Sequence, residues 1–237
     1  ACASCHARRE ELTGRFNLGD EFSDHYRLHL PDAVGAYHPD GQAIEENFVY
    51  GSFLMSRMGH KGVTCLDCHD PHSAGLVLPV ANNALCMSCH APPTRREAKP
   101  IIPVDHSHHP IDSDGNRCIE CHMPEKTFMA RDARRDHGFT SPDPLLTKEL
   151  GIPNACNRCH QDQTTEWAIE WTTRWYGEDM NQPARKRARV VARAHDRDPD
   201  VAPELLALAR SEDGTLQLDR VPFDLADEVT AAVAAAC

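Results

Sequence analysis

The residues best suited to chemistry in this chain are cysteines and histidines in the repeated pattern Cys-x-x-Cys-His. Two thiols at this spacing can add to the two vinyl groups of one porphyrin, and the histidine that follows then falls beneath the iron. The pattern occurs five times, at Cys2/Cys5/His6, Cys65/Cys68/His69, Cys86/Cys89/His90, Cys118/Cys121/His122 and Cys156/Cys159/His160. Random placement of 11 Cys and 15 His would give roughly 0.03 copies. The motifs, numbered one to five along the chain, therefore predict five covalently attached haem c groups and their irons.

Disulfide bonds and structural zinc are the alternative uses of so many cysteines. A disulfide framework is typical of small exported proteins, but it does not account for the fixed histidine after each cysteine pair. A zinc site needs two half-sites to reach four ligands, and it too leaves the trailing histidine unexplained. The motif therefore favours haem over both alternatives.

A haem iron that only exchanges electrons normally has a second strong ligand opposite the motif histidine. Ten of the 15 histidines lie outside the motifs, so every iron can be bis-histidine. His72 is the leading candidate, because it follows His69 too closely to reach the same iron and should ligate a neighbouring haem. The other candidates are His137, His109, His38 and His25.

His109 is chosen from a cluster, His106, His108 and His109, that we expect to yield one ligand. The proline after His109 restrains its backbone and favours this member of the cluster. His29 and His60 are held in reserve as ligands. His195 lies in a basic helix, which indicates a solvated side chain.

The composition predicts a protein whose core is largely haem. Hydrophobic residues make up 41% of the chain and aromatic residues only 6%, which is a thin core for 237 residues. The 17 prolines and 13 glycines lie mostly before residue 160, which favours short helices between irregular loops. We therefore expect a mainly α fold with extensive irregular loops, in which residues 1–160 form a pentahaem domain.

Helical periodicity is strongest after residue 160, where no motif occurs. The pattern predicts helices at 165–176, 183–195, 198–210 and 224–236, and these indicate a helical module over 161–237, similar to a helix-pair repeat. An earlier helix is predicted at 47–58, with aromatic residues packed against a porphyrin.

The formal net charge is −11, and ten haem propionates would add roughly ten negative charges. This balance argues against nucleic acid and anionic membranes as partners, and it is compatible with basic redox proteins. No run of about 18 apolar residues occurs, so no transmembrane segment is predicted. Because haem is attached covalently outside the cytoplasmic membrane, we expect a periplasmic or extracellular protein whose signal peptide is not part of this sequence.

Several segments resemble multihaem c-type cytochromes with doubled Cys-x-x-Cys-His motifs, which often continue into HEAT- or TPR-like repeats. These segments are spread over most of residues 1–160 and are C-A-S-C-H-A-R-R, Y-G-S-F-L-M-S-R-M, G-V-T-C-L-D-C-H-D-P-H-S, C-I-E-C-H-M-P, R-R-D-H-G-F and L-G-I-P-N-A-C-N-R-C-H. The resemblance implies exported electron transfer and supports the ligand candidates, since histidines at the matching positions recur in the family. Members usually carry further motifs upstream, so we expect this chain to be a subset of a longer arrangement.

The sequence thus predicts an electron carrier in which neighbouring haems form one continuous file, with redox proteins as partners. One alternative is a multihaem reductase or oxidase that acts on a nitrogen or sulfur compound at one open haem. A Cys-x-x-Cys-Lys motif or a shortage of histidines would indicate such an enzyme, and the sequence shows neither. Another alternative is a cytochrome subunit of a larger respiratory or extracellular complex, including self-association into a filament.

Overall fold

The computed structural model describes residues 2–29, 35–44, 48–178 and 180–213. Within these ranges the chain is mainly helical, with two short antiparallel hairpins and long irregular connections, which confirms the predicted fold class. The α-helices are α1 (Ala3–His6), α2 (Phe22–His25), α3 (Val49–Met55), α4 (Arg57–His60), α5 (Ala84–His90), α6 (Pro103–Ser107), α7 (Cys118–His122), α8 (Pro144–Leu150), α9 (Cys156–Cys159), α10 (Thr165–Tyr176), α11 (Gln182–His195) and α12 (Ala202–Asp213). Two 3₁₀ turns cover Cys65–Asp67 and Asp114–Asn116.

Each motif forms a short helical turn. In motif one the His6 amide donates to the Cys2 carbonyl at 3.0 Å, in motif two His69 donates to Cys65 at 2.8 Å, and in motif five His160 donates to Cys156 at 2.9 Å. These bonds close one turn over five residues. Such a turn places the side chains of residues three and four apart on the same side of the backbone.

Each hairpin follows a motif. Strands β1 (Arg9–Glu11) and β2 (Tyr26–Leu28) pair after motif one, with Glu10 opposite Arg27. Strands β3 (Glu125–Phe128) and β4 (Asp132–Arg135) pair after motif four, with Glu125 opposite Arg135. β4 ends two residues before His137, so this second hairpin sets the position of a predicted iron ligand.

The core built from side chains is small. One cluster consists of Ala36, Tyr37 and Ala43, with Met55 packed against it. A second cluster consists of Leu146, Ile152 and Ala188, with Leu150 packed against it. Among the residues that the structure describes, these two clusters bury little apolar surface, in keeping with the low hydrophobic fraction of the chain.

The helix predicted over 47–58 is two helices in the structure, α3 and α4, with residue 47 outside the described part. The break lies at Ser56, whose hydroxyl donates to the Phe53 carbonyl at 2.6 Å and accepts from the Gly59 amide at 3.0 Å. A serine that bonds the backbone in this way competes with helical hydrogen bonds and caps the next helix. The prediction of one continuous helix was therefore wrong.

The first two helices predicted after residue 160 are confirmed as α10 and α11. Both pack on α8, the helix that precedes motif five. Arg185 of α11 joins Asp143, the N-cap of α8, in a buried ion pair with nitrogen–oxygen distances of 2.7 and 3.0 Å. No helix within the described ranges has the length and apolarity needed to cross a membrane.

The chain divides into two compact units, Ala1–Pro199 and Asp200–Cys237. The first unit contains the five motifs together with α10 and α11. The described part of the second unit contains α12, which begins four residues later than the helix predicted at 198–210. The helix predicted at 224–236 lies outside the described residues, and the domain boundary predicted after residue 160 stays a prediction.

Candidate haem-binding sites

Two motif histidines are oriented by backbone carbonyls. The Nδ1 of His90 bonds the Lys99 carbonyl at 2.9 Å, and the Nδ1 of His122 bonds the Thr140 carbonyl at 3.0 Å. A ring that donates from Nδ1 to a carbonyl carries its free lone pair on Nε2. Histidines that bind metal ions usually have their second nitrogen engaged in this way, so both rings are prepared to ligate iron through Nε2.

Three motif histidines each face a second histidine from a distant part of the chain. His69 and His137 have ring centroids 6.3 Å apart with an interplanar angle of 22°. For the rings of His122 and His106 the values are 5.9 Å and 11°, and for those of His160 and His109 they are 6.2 Å and 40°.

These separations fit an iron between two imidazoles. A ligating imidazole nitrogen lies about 2 Å from a bound metal ion, and the centre of the ring lies about 1 Å beyond that nitrogen. Two imidazoles on opposite sides of one iron therefore have centroids about 6 Å apart. All three pairs match this value, so the residues present suit a bis-histidine haem at motifs two, four and five.

Two of the facing histidines, His137 and His109, also bond a backbone carbonyl through Nδ1. The Nδ1 of His137 bonds the Arg135 carbonyl at 2.9 Å, and the Nδ1 of His109 bonds the Ser107 carbonyl at 2.6 Å. In each case Nε2 remains for a metal ion.

Burial favours the neutral form of these imidazoles, which is the form that binds a metal ion. Desolvation is the largest cause of a lowered pKa at His122, His106 and His137. At His106 the neighbouring His122 lowers the pKa further, while at His137 the hydrogen bond to the Arg135 carbonyl works in the opposite direction.

Cysteines of consecutive motifs are neighbours at the start of the series. Burial raises the pKa of the Cys65 thiol, and Cys2 of motif one raises it further. Burial likewise raises the pKa of Cys68, where Asp67 and then Cys89 of motif three add to the effect. Motif two therefore lies beside motif one and beside motif three.

The series continues through motifs four and five. A hydrogen bond with Cys118 of motif four raises the pKa of the Cys86 thiol in motif three. Burial, followed by the effects of Cys156 and Cys159 of motif five, raises the pKa of Cys121 to about 11. Each motif thus lies next to the one that follows it in the sequence.

Motif one is the most exposed of the five. Its three predicted site residues, Cys2, Cys5 and His6, are all exposed, whereas every other motif has its histidine and at least one cysteine partly buried. The Cys5 amide donates to the Cys2 carbonyl at 3.2 Å, which keeps Cys5 within the helical turn. The effect on Cys65 of motif two comes from Cys2 and not from Cys5. The Cys5 thiol thus lies at the surface, and its bond to haem stays a prediction.

Side chains outside the motifs hold neighbouring motifs together. The buried Asn83 precedes motif three; its amide nitrogen donates to the Asn116 carbonyl at 2.8 Å, and its amide oxygen accepts from the Cys118 amide of motif four at 2.9 Å. Arg96, which follows motif three, donates to the Gly62 carbonyl at 2.7 Å and to Asp67 of motif two at 2.9 Å.

The structure does not bring the remaining predicted ligands to a motif histidine within the described ranges. His25 contacts the Thr13 hydroxyl through Nδ1 and Asp20 through Nε2. His38 is half-buried, and burial followed by the charge of Lys126 lowers its pKa to about 4. His72 is exposed in the turn after motif two.

The histidine cluster gives two facing rings rather than the single one expected, since His106 and His109 each face a motif histidine. His106 is the residue that sequence reasoning missed. The available signal was Pro103, which favours the first turn of a helix and places His106 on α6. His108 lies instead against Trp175, with ring centroids 4.6 Å apart.

Comparison with known proteins supports the interpretation of the motifs as haem-binding sites. The family model of the doubled CXXCH motif matches residues 59–95. Cytochrome c-type protein NrfB of Escherichia coli O6:H1 is 25% identical over 150 residues, which is 54% of this chain and 77% of that protein. The crystal structure of the Outer Cell Wall Cytochrome OcwA superposes with a TM-score of 0.53 over 88% of this chain, at 17% identity. This match covers 63% of the OcwA chain, and at such an identity it shows the fold alone.

The motifs, the fold and these relatives together define the class of this protein as a multihaem c-type cytochrome, which transfers electrons through haem c. Within that class the chain carries the doubled Cys-x-x-Cys-His motif, over motifs two and three.

Proposed function

We propose that this cytochrome carries electrons along one continuous file of five haem c groups, ordered as their motifs are ordered in the chain. The observation that supports this order is the series of cysteine neighbours, from Cys2 beside Cys65 to Cys121 beside Cys156. When bound, haem c supplies reversible one-electron chemistry. The chain supplies the thiols that anchor each group and the packing that keeps neighbouring motifs in contact.

In this proposal two histidines hold each of three irons. The pairs are His69 with His137, His122 with His106, and His160 with His109. A second strong ligand from the chain excludes exogenous ligands, which suits a carrier better than an enzyme. His106, which was not among the predicted ligands, is the second ligand at motif four in this proposal. Only the irons of motifs one and three therefore remain for the three candidates His25, His38 and His72.

The net charge of −11 and the location of covalent haem attachment support the rest of the proposal. The protein works in the periplasm or outside the cell and exchanges electrons with basic redox proteins. The relative of known structure is described as an outer cell wall cytochrome, which agrees with export. Self-association into a filament, or assembly into a larger complex, would extend the file beyond one chain.

A second candidate function is a reductase with one open haem. It is favoured by the fact that His6 and His90 face no second histidine ring among the described residues. An iron with a free sixth position can bind a small nitrogen or sulfur substrate.

Two measurements on the haem-loaded protein separate these functions. The mass of the denatured protein should exceed that of the polypeptide by five haems, and four or fewer would reject the use of all five motifs. Electron paramagnetic resonance of the oxidised protein should show low-spin iron only, and the reduced protein should not bind carbon monoxide rapidly. One high-spin haem that binds carbon monoxide stoichiometrically would instead establish the open-haem function.

A further inference from the structure

Helix α10 carries three tryptophans, Trp167, Trp171 and Trp175, spaced four residues apart on one face. Ring centroids are 6.3 Å apart for the first two and 5.4 Å apart for the last two, so the rings form a continuous stripe. The stripe begins at motif five, where Trp167 lies 4.9 Å from the ring of His160. The function proposed above does not account for this stripe.

The other end of the stripe reaches the histidine cluster. Trp175 stacks on His108 with ring centroids 4.6 Å apart and an interplanar angle of 13°, and it meets the His109 ring edge to face, with centroids 6.3 Å apart and an angle of 71°. The hydroxyl of Tyr176 donates to the His106 carbonyl, and the Tyr176 ring lies 5.7 Å from the His106 ring. Two adjacent aromatic residues of α10 therefore contact all three histidines of the cluster.

The histidine cluster contains an uncommon backbone conformation at His108, which the contacts with α10 can stabilise. His108 is the C-cap of α6 and has φ 57° and ψ 25°, in the left-handed region. A non-glycine residue there is uncommon, although histidine is enriched among the exceptions. The left-handed backbone at His108 turns the chain between His106 and His109. The ring of His106 therefore faces His122, and the ring of His109 faces His160.

We infer that Trp175 and Tyr176 are positioning residues for His106 and His109, the facing histidines that would help to hold the haems of motifs four and five. Trp175 holds His108 by stacking and fixes the edge of His109, while Tyr176 anchors the backbone of His106. His108 is then a structural anchor and not an iron ligand. This inference rests on the proposed bis-histidine ligation, and it gives α10 a role in ligation that goes beyond packing on α8.

The test compares substitutions in the haem-loaded full chain by electron paramagnetic resonance and carbon monoxide binding. Trp175→Leu should convert one or two of the five haems to a high-spin, carbon monoxide-binding form. Trp175→Phe retains a ring that can stack on His108, so all five haems should remain low-spin in this variant. Tyr176→Phe removes only the hydroxyl and should shift the reduction potential of a single haem.

Trp171→Leu is the matched control, because Trp171 lies on the same face of α10 and has no histidine among its described ring contacts. It should lower thermal stability and leave all haems low-spin. If the two variants Trp175→Leu and Trp171→Leu have the same haem spin states, whether low or high, Trp175 acts through packing alone and the inference is overturned. If Trp175→Leu does not yield haem-loaded protein, an unchanged set of potentials in Tyr176→Phe overturns the inference.

The unsubstituted protein separates this inference from the proposed function. High-spin haem in the starting protein that is assigned to motif four or five would reject the bis-histidine proposal itself. Low-spin haem in the starting protein, with low spin kept in Trp175→Leu, would reject only the positioning role.

Discussion

Motifs four and five differ from motifs one and three in how completely the described chain builds an iron site. His122 and His160 each face a second histidine about 6 Å away, on a segment supported by α10. His6 and His90 face no such ring within the described part of the chain, although His90, like His122, bonds a backbone carbonyl through Nδ1. A bis-histidine site therefore has two parts with different origins, the motif with its histidine and the facing histidine.

The motif half is local, because the two cysteines and the histidine share one helical turn. The facing half depends on tertiary packing, since a histidine from another element has to be brought opposite the motif. The β3–β4 hairpin brings His137, and the corner of α6 brings His106 and His109. His38 and His72 lie in irregular connections, whereas His25 ends the short helix α2 and contacts Thr13 and Asp20 instead of a motif histidine. A facing histidine thus depends on where tertiary packing places the segment that carries it.

The largest effect should come from removing a facing histidine. His137→Ala should turn the haem of motif two high-spin and open to carbon monoxide, which is about one fifth of the total haem, because a site paired across 6.3 Å loses one of its two strong ligands. His195→Ala makes the same chemical change on α11 and should leave all haems low-spin. Electron paramagnetic resonance spectra of both variants check this expectation. An unchanged spectrum of His137→Ala would show that His137 is not an iron ligand at motif two.

The support of motif five should depend on the buried pair between Arg185 and Asp143. The side chains are 6% and 3% exposed, so Arg185→Leu leaves an unpaired buried carboxylate and should cost about 3–5 kcal/mol of unfolding free energy. The neighbouring exposed pair of Arg189 and Glu149 is the control, and Arg189→Ala should cost about 0–1 kcal/mol. Urea unfolding followed by circular dichroism measures both. Equal losses would mean that α11 does not brace the segment before motif five.

A smaller effect is expected from a single methyl group at Gly115. A Cβ there would collide with the ring of His109, so Gly115→Ala should displace this ring and give a partial high-spin signal from one haem. Gly14→Ala is the control, since a Cβ at that position meets no atom within 4 Å. The absence of any spectral difference between the two variants would contradict the placement of His109 opposite His160.

The smallest effect concerns the link between motifs three and four. Asn83 has φ 61°, a conformation that asparagine and aspartate tolerate better than other side chains with a Cβ. Asn83→Ala removes the donor to the Asn116 carbonyl and the acceptor for the Cys118 amide, which should cost about 1–3 kcal/mol of unfolding free energy. Urea unfolding measures this loss. A stability equal to that of the unsubstituted protein would show that Asn83 does not join these motifs.

The sequence could predict the motif residues because their chemistry is contained in five consecutive positions. It could also indicate His137 and His109, which the structure brings opposite motif histidines. It could not assign partners, because His69 and His137 meet across 68 residues through the β3–β4 hairpin. His106 was missed because the cluster was expected to yield one ligand, and the sequence does not show the left-handed turn at His108 that lets both His106 and His109 face motif histidines. The break at Ser56 was missed because a serine inside an apolar pattern gives no periodic signal.

If the five haems form one continuous file, their irons follow the order of the motifs. Iron positions in crystals of the haem-loaded protein, located by anomalous scattering at the iron absorption edge, measure that order. We expect five iron sites in which each iron lies beside the iron of the next motif, with two histidines on the irons of motifs two, four and five. Iron sites in a different order, or two groups of irons separated by a layer of protein, would contradict it.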